Sequence, residues 1–340
     1  MSNQTNVQVQ RIRAIGLTVT NCDRSLNFYT QALNFKLVSD ITVAGEDYSE
    51  LQSVTGAKIR IVTLQLGDEL IKLMEYLNIQ GKPIPSDSQS NDLWFQHMAI
   101  VVSDMDRAFA QVRSFAIEFI SVAPQTIPPE NEASGGVRAF KFKDPDGHDL
   151  ELIWFPPDKG QDKWHQNSVD AFAERLVEKR IVGRHRLFLG IDHSAIAISN
   201  TEQSLHFYRD LLGMQVDSRS LNWRSTQTRL DNLPGAEVKI TGLRPVQDGM
   251  GIELLDYIVP GKGRTIPSDW KSCDIAHIQI ELVVNDIEQL VDKLQQNGVE
   301  FVSSRIVQFS DRSFPYRQGC LVKDPDGHAI LLIAESFHKT

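Results

Sequence analysis

The hexapeptide KDPDGH occupies residues 143–148 and occurs again at residues 323–328. Asp-Pro-Asp-Gly predicts a tight turn, because proline presets the backbone at the second position and glycine accepts a left-handed conformation. Hydrophobic residues flank both copies, so each turn is expected to join two strands. A six-residue match so far apart in one chain indicates an internal repeat.

Other segments repeat in the same order and with nearly constant spacing. The matched pairs are LNFYTQALNF at 26–35 with LHFYRDLLGM at 205–214, TGAKIRI at 55–61 with PGAEVKI at 234–240, and IPSD at 84–87 with IPSD at 266–269. Such repeats indicate duplicated structural units. We therefore predict a first domain at 10–156, a partly helical linker at 157–187 and a second domain at 188–336.

A strand followed by a helix occurs twice in each half. The four copies are AIGLTVTNCDRSLNFY at 14–29, HMAIVVSDMDRAFAQV at 97–112, HSAIAISNTEQSLHFY at 193–208 and HIQIELVVNDIEQLVDKL at 277–294. In the last copy Asn285 is placed to cap the helix start. Further strands follow each helix, so the predicted fold class is α+β, with four βαβββ modules. Their expected bounds are about 10–80, 93–156, 188–260 and 273–336.

Such a module covers one face of its sheet with a helix and leaves the other face open. Two modules side by side would form a curved mixed sheet whose open faces enclose a cup. Four modules therefore give two cupped domains. Either the two modules of each half share a cup, or the two halves pair with each other within the chain.

The composition excludes several classes of protein. Hydrophobic residues make up 41% of the chain and charged residues 23%, as in ordinary globular proteins. The net charge of −9 argues against nucleic acid or an anionic membrane as a partner. Three widely spaced cysteines indicate a reducing compartment and no thiolate metal cluster. No stretch has the length of a membrane span, and MSNQTNVQVQRIR lacks the apolar core of a signal peptide, so a cytoplasmic location is expected.

Three histidines stand near the start of predicted strands, on the face opposite the bulky apolar side chains. They are His97, His193 and His277, and Ala14 takes the corresponding place in the first module. Because the helix of each module should cover the apolar face, the imidazoles are expected to point into the open cup.

The module pattern, the LxFYxxxLxF motif and the segment DPDGHDLEL at 144–152 resemble the vicinal oxygen chelate superfamily. That superfamily includes glyoxalase I, methylmalonyl-CoA epimerase, extradiol dioxygenases and bleomycin-resistance proteins. The resemblance implies a divalent metal in the cup, held by residues of the first and last strands of the modules. The matching positions are Ala14, Glu75, His97 and Glu151 in the first half, and His193, Asp256, His277 and Leu331 in the second half. Since Ala14 and Leu331 cannot bind metal, each half keeps three candidate ligands.

The two candidate ligand sets suit different chemistry. One imidazole and two carboxylates, as at Glu75, His97 and Glu151, suit Mn, Ni, Zn or Mg and a lyase or isomerase acting on a small metabolite with vicinal oxygens. The resemblance implies that Glu151 or Glu75 would then be the catalytic base. Two imidazoles and one carboxylate, as at His193, His277 and Asp256, suit Fe and an extradiol-type ring-cleaving dioxygenase.

A third reading is a non-catalytic protein that binds a drug or metabolite, because a ligand is missing from both halves. All three readings imply a small-molecule substrate or ligand. No phosphate-binding glycine loop is present, so a nucleotide cofactor is not expected. The chain is expected to be either a monomer with paired halves or a homodimer.

Overall fold

The computed structural model of the protein describes residues 8–165, 186–309 and 316–335. Module 1 comprises β1 (Val9–Thr18), α1 (Cys22–Ala32), β2 (Lys36–Ala44), α2 (Glu46–Gln52), β3 (Lys58–Leu66) and β4 (Glu69–Tyr76). Module 2 comprises β5 (Gln96–Val102), α3 (Met105–Arg113), β6 (Glu118–Phe119), β7 (Gln125–Thr126), β8 (Arg138–Lys143) and β9 (Asp149–Trp154).

Modules 3 and 4 repeat this order of elements. Module 3 comprises β10 (Phe188–Ile198), α4 (Thr201–Leu205, continued as a π-helical turn at His206–Leu211), β11 (Gln215–Asn222), α5 (Arg224–Asp231), β12 (Glu237–Arg244) and β13 (Gly251–Val259). Module 4 comprises β14 (Ile278–Val284), α6 (Ile287–Gln296), β15 (Val307–Gln308), β16 (Gln318–Lys323) and β17 (Ala329–Ala334). The predicted α+β class with four modules is confirmed, and modules 1 and 3 each carry an additional short helix.

The modules pair across the two halves of the chain. Among the described residues, one sheet has the order β15-β16-β17-β14-β1-β4-β3-β2, and the other has the order β11-β12-β13-β10-β5-β9-β8-β6, with β7 beside β8. The first, called here the 1+4 sheet, joins modules 1 and 4, and the second, the 2+3 sheet, joins modules 2 and 3. Two modules of one half therefore do not share a cup, and the alternative of paired halves describes the molecule. The domain boundaries themselves remain predictions.

Alternation along the first strands places their side chains as expected. Met98 and Ile100 of β5, like Ile196 of β10 and Ile280 of β14, belong to the core beneath the helices. Ala99, one residue away from Met98 and Ile100, packs in a separate cluster on the open face of the 2+3 sheet. The predicted orientation of these strands is therefore confirmed.

Short polar side chains begin the helices, because their oxygens accept hydrogen bonds from free backbone N–H groups. Asn21, Asp104 and Asn200 cap α1, α3 and α4 in this way. In module 4 the cap is Asp286, which accepts from the Gln289 backbone N–H. The assignment of this cap to Asn285 was wrong by one residue, and Asn285 instead accepts from the Gln8 backbone N–H.

The repeated motifs join the two sheets to each other. The Tyr29 hydroxyl of module 1 donates a hydrogen bond to Asp144 of the first KDPDGH turn, over 3.1 Å. Tyr208 of module 3 does the same to Asp324 of the second turn, over 3.0 Å. Each contact links a helix of one sheet to a turn of the other, so the repeated tyrosine and aspartate have a structural role.

His148 in the first turn is held as an imidazolium. Its Nδ1 lies 3.0 Å from Asp144 Oδ2 and its Nε2 lies 2.8 Å from the Ile275 carbonyl oxygen. Both partners accept hydrogen bonds, so both ring nitrogens must carry a proton. Burial opposes this charge, but Asp144 and the Ile275 carbonyl outweigh it and raise the pKa of His148 to about 9.

This imidazolium predicts a loss of stability on the alkaline side of neutrality. Its contribution is fully present below pH ~6.5 and is lost as the pH rises through about 9, amounting to roughly 3 kcal/mol at most. Urea unfolding of the wild type and of His148→Gln, from about pH 6 to about pH 10, measures this contribution to the free energy of unfolding. The difference between the two proteins should shrink as the pH rises. An unchanging difference would contradict the charged form.

The interior of the 1+4 cup is largely filled by its own side chains. Tyr48, Met74 and Leu331 belong to an apolar cluster there. Lys72 Nζ lies 2.6 and 2.7 Å from the two carboxylate oxygens of Glu281, and both residues are buried. These side chains fill the part of the 1+4 cup that corresponds to the ionisable group of the 2+3 cup.

The linker is described only at its ends. A single turn of 3₁₀-helix occupies Asp162–Trp164. The linker was predicted to be partly helical, and VDAFAERLVEKR at 169–180, the segment expected to form the helix, lies outside the described residues. Over the ranges that the structure describes, no helix is long and apolar enough to cross a membrane.

Candidate metal centre

Four ionisable side chains meet in the cup of the 2+3 sheet. A cavity of about 310 Å³ is lined there by His97, Glu151, His193 and Glu253, among others. Ligand atoms of His97, Glu151 and His193 all lie within 4.8 Å of one another, and the three residues are buried. Such a group could hold a metal ion.

Strand register explains why these residues meet. Ala99 of β5 is the register partner of Glu151 on the parallel strand β9 and of His193 on the antiparallel strand β10. His97 lies two residues before Ala99 and so points to the same face of the sheet. The small side chain of Ala99 leaves space between its longer neighbours.

The distances within the group are short. His97 Nε2 lies 3.3 Å from Glu151 Oε2, and His193 Nε2 lies 3.9 Å from the same oxygen. On its other side His193 Nε2 lies 3.4 Å from Glu253 Oε2. The two imidazoles are therefore bridged by one carboxylate, with a second carboxylate beside His193.

Asp192 sets the orientation of the His193 ring. Its Oδ2 lies 3.0 Å from His193 Nδ1, which leaves Nε2 facing the cavity. Trp164 Nε1 donates to Asp192 Oδ1 over 3.0 Å, and Arg244 donates to both carboxylate oxygens. A carboxylate behind a histidine is the usual arrangement that fixes the ring of a metal ligand.

Electrostatics favours ligand-competent forms at two of these residues. Burial and the charge on Lys141 lower the pKa of His97 to about 4, so its imidazole is neutral at pH 7. Burial raises the pKa of Glu151, but His97, Lys141 and His193 outweigh it and bring that pKa to about 2. Neutral imidazole and carboxylate are the forms that bind metal.

The pKa values of His193 and Glu253 shift in the opposite direction, upward. Burial would lower the pKa of His193, but Glu253, Asp192 and Glu151 raise it to about 9. Burial raises the pKa of Glu253 above its ordinary value despite the charge on His193. A proton on His193 thus balances the acidic groups around it where no cation does.

The residues present fit a divalent ion. Within the described ranges, both ring nitrogens of His97 and the Nε2 of His193 are buried and make no hydrogen bond. An unpaired buried polar atom is costly, and a metal would satisfy one ring nitrogen of each imidazole. Two imidazoles with one or two carboxylates are a donor set used for Fe, Mn, Ni and Zn.

Glu75 and Asp256 do not join this group. Glu75 Oε2 accepts from the Cys22 backbone N–H at the start of α1, over 2.8 Å. Asp256 Oδ2 accepts from Thr201 Oγ1 at the start of α4, over 2.7 Å. Both carboxylates therefore lie on the helix-covered face, because alternation along β4 and β13 turns them away from the cups. The structure therefore does not bring Glu75, predicted as a ligand and base, or Asp256, predicted as a ligand, to the cavity lined by His97, Glu151 and His193.

His277 lies in the other cup, away from His193. It precedes β14, and its Nε2 lies 3.3 Å from Gln279 Oε1. Matching the helix caps Asp104 and Asp286 makes Gln279, rather than His277, the counterpart of His97. The prediction of His277 as a ligand beside His193 and Asp256 is therefore not supported by the geometry.

The counterparts of the four cavity residues in the 1+4 cup are Ala14, Lys72, Gln279 and Leu331. Ala14 and Leu331 offer no donor atom, Lys72 carries a positive charge, and Gln279 Oε1 accepts from Gln52 Nε2 over 3.2 Å. The ligand set is therefore complete in one cup and replaced throughout in the other.

Sequence reasoning missed Glu253 and Asp192, although each left a signal. Ile252 and Leu254 flank Glu253, an alternation that predicts Glu253 on the open face. Asp192 directly precedes His193. The IPSD repeats also carry information, because His97 and Gln279 stand equally far after them.

Comparisons with known proteins agree with this architecture. A family model described as Glyoxalase/Bleomycin resistance protein/Dioxygenase superfamily matches residues 11–152 and 190–332. Glyoxalase I from Zea mays is similar in structure, with a TM-score of 0.60 at 15% identity over 95% of this chain and 92% of that chain. A putative dioxygenase from Bacillus subtilis has a TM-score of 0.55 at 13% identity over 96% and 86%. The likeness to these two solved structures shows the fold alone. No curated protein matches the sequence.

Proposed function

Because this chain belongs to the glyoxalase/bleomycin resistance protein/dioxygenase superfamily, we propose that it is a metal-dependent lyase or isomerase acting on a small metabolite with vicinal oxygens. The observation that carries the proposal is the convergence of His97, Glu151, His193 and Glu253 on one cavity. A fold hosts many reactions, so the function is argued from this site.

His97, Glu151 and His193 are the residues that would hold the ion. Asp192 keeps the His193 ring in place, and Ala99 gives the three ligands room. A divalent ion bound there would polarise two neighbouring substrate oxygens and stabilise the negative charge that develops on them. The cavity leaves space beside the ligands for such a substrate.

Glu253 is the proposed base. Its side chain is 27% exposed, against 7% for Glu151, and so it is the carboxylate more open to the cavity. It would take a proton from the substrate carbon next to a carbonyl and return one to the neighbouring position. General bases of this kind contribute about 10²- to 10⁴-fold in rate.

Part of the cavity wall is apolar. Leu255 and Val238 line one side, and Ile153 and Val137 line the other. Apolar walls lower the local dielectric constant and strengthen the electrostatic contacts inside. A small substrate with its oxygens toward the ionisable group would place its carbon atoms against these apolar side chains.

A ring-cleaving dioxygenase is the second candidate. His97, His193 and Glu151 form a two-histidine, one-carboxylate set, which suits iron(II) with open positions. This set differs from the one expected for the second half alone, because His193 and His277 lie in different cups. Oxygen consumption with catechols by the anaerobically iron-loaded protein would favour this candidate over the first.

Metal analysis and hydrogen exchange test the proposal together. We expect the purified protein to retain about one divalent ion per chain, measured by mass spectrometry of the metals. The metal-loaded protein should exchange carbon-bound hydrogen of α-hydroxycarbonyl compounds with D₂O, followed by NMR. His97→Ala and chelator-treated protein are the controls and should do neither. Absence of any divalent ion, with His97→Ala indistinguishable from the wild type, would refute the proposal.

A further inference from the structure

Lys141 is a buried cation beside the candidate metal centre. It lies on β8 as the register partner of Glu151, so both side chains point into the 2+3 cup. Its side chain is 4% exposed and lines the same cavity as His97 and His193. Asp231 and Glu151 outweigh burial and hold the pKa of Lys141 above its ordinary value. The 2.7 Å contact between Lys141 Nζ and Asp231 Oδ1 is that of an ammonium group with a carboxylate.

Asp231 is the ion-pair partner of Lys141. Lys141 Nζ donates to Asp231 Oδ1 over 2.7 Å. Gln227 Nε2 and Tyr257 Oη donate to Asp231 Oδ2, over 2.6 and 3.0 Å. The aspartate is fixed by these contacts. An ammonium group has three N–H donors, and this hydrogen bond uses one of them.

The duplicated modules provide an internal comparison. In the 1+4 cup, Leu321 takes the place of Lys141, and Gln52 takes the place of Asp231. The surrounding backbone is the same, because Ser121 Oγ bonds the Leu230 carbonyl and the Lys141 N–H as Ser303 Oγ bonds the Leu51 carbonyl and the Leu321 N–H. This backbone arrangement therefore forms without the Lys141–Asp231 pair.

A buried ion pair is weak evidence for stability, since removing two charges from water costs several kcal/mol per ion. The 1+4 cup keeps a buried ion pair at other positions, but there Lys72 Nζ lies within hydrogen-bond distance of both oxygens of Glu281. Lys141 differs because it lines the cavity that has the complete ligand set. Within the described residues, Lys141 Nζ donates to Asp231 and lies 5.4 Å from the centre of the Phe95 ring, which leaves N–H donors for a group in the cavity. A cation kept at that cost beside the ligands indicates a contact with something that enters the cavity.

We infer that Lys141 donates a hydrogen bond to an anionic oxygen of the substrate, and that the substrate is therefore a carboxylate carrying the vicinal oxygens. The inference rests on the proposed function, because the carboxylate has to lie beside the metal centre. Asp231, Gln227 and Tyr257 position the ammonium group without touching the substrate.

Two chelating probes separate this role from a structural one. Oxalate and acetohydroxamate both bind a metal through two oxygens, but oxalate has further anionic oxygens where acetohydroxamate has a methyl group. The test variant combines Lys141→Leu with Asp231→Gln, the residue types that the 1+4 cup already carries at these positions. The control combines Lys72→Leu with Glu281→Gln, which removes a buried ion pair from the other cup.

Each protein is titrated by calorimetry first with Mn(II) and then with each chelator. The test variant should still bind Mn(II) and acetohydroxamate, and its preference for oxalate over acetohydroxamate should fall at least about tenfold relative to the wild type. The control variant should match the wild type for all three probes.

An unchanged preference for oxalate over acetohydroxamate in the test variant would overturn the inference. Equal loss of both chelators would also overturn it, since that is what a purely structural lysine predicts. Failure of the wild type to bind Mn(II) would be seen in the first titration and would refute the proposed function together with this inference.

Discussion

His193→Ala is expected to weaken the binding of a divalent ion such as Mn(II) by at least about a hundredfold, since loss of even an outer-shell partner costs ten- to a hundredfold. The His193 Nε2 lies 3.9 Å from Glu151 and 3.4 Å from Glu253, so the imidazole stands between the two carboxylates. Its removal also leaves Asp192 without the ring that it orients. Isothermal titration calorimetry of the purified variant measures the change.

His277→Ala is the matched control for this variant. His277 was an equally good candidate on sequence grounds, but it lies in the 1+4 cup beside Gln279. Its replacement should leave the affinity for Mn(II) unchanged. Comparable losses in both variants, or no loss in His193→Ala, would show that the ion is not held in the 2+3 cup.

Glu253→Gln is expected to lower the rate of substrate hydrogen exchange by about 10²- to 10⁴-fold, the usual contribution of a general base. The amide is nearly isosteric with the carboxylate but cannot accept a proton at neutral pH. Because His97, Glu151 and His193 remain, the variant should still bind Mn(II). NMR in D₂O gives the exchange rate, and calorimetry gives the metal affinity.

Asp256→Asn is the control on the same strand. Asp256 accepts from Thr201 Oγ1 at the start of α4, on the face away from the cavity. We expect a small loss of stability, about 1 kcal/mol, and no change in exchange rate. Full exchange by Glu253→Gln, or equal losses in both variants, would assign the base to another group.

Several parts of the fold follow from local patterns. The turns at 144–147 and 324–327 depend on proline and glycine, and the four strand-helix units depend on alternation followed by a capped apolar helix. The orientation of His97 and His193 toward an open face follows from the same alternation. These features involve residues close together in the chain, so their physical causes are visible in the sequence.

The choice of partner for each module was not visible in this way. All four first strands carry bulky apolar residues at alternate positions, so from the sequence β5 is as suitable a neighbour for β1 as β14 is. Contacts between distant residues, such as Tyr29 with Asp144 and Tyr208 with Asp324, are made only in the folded molecule. Glu75 and Asp256 lie apart from the cavity residues because one residue along a strand exchanges the cup for the helix face.

From the sequence alone came the duplicated α+β modules, the turns between their last strands and the histidines of the open faces, because repeats and alternation are local properties. Tertiary structure alone decided that modules 2 and 3 share a cup, and that His97, Glu151, His193 and Glu253 therefore meet in one of the two cups. The reason is that a metal centre is made by strand register between segments far apart in the chain, and register depends on packing that no single segment encodes.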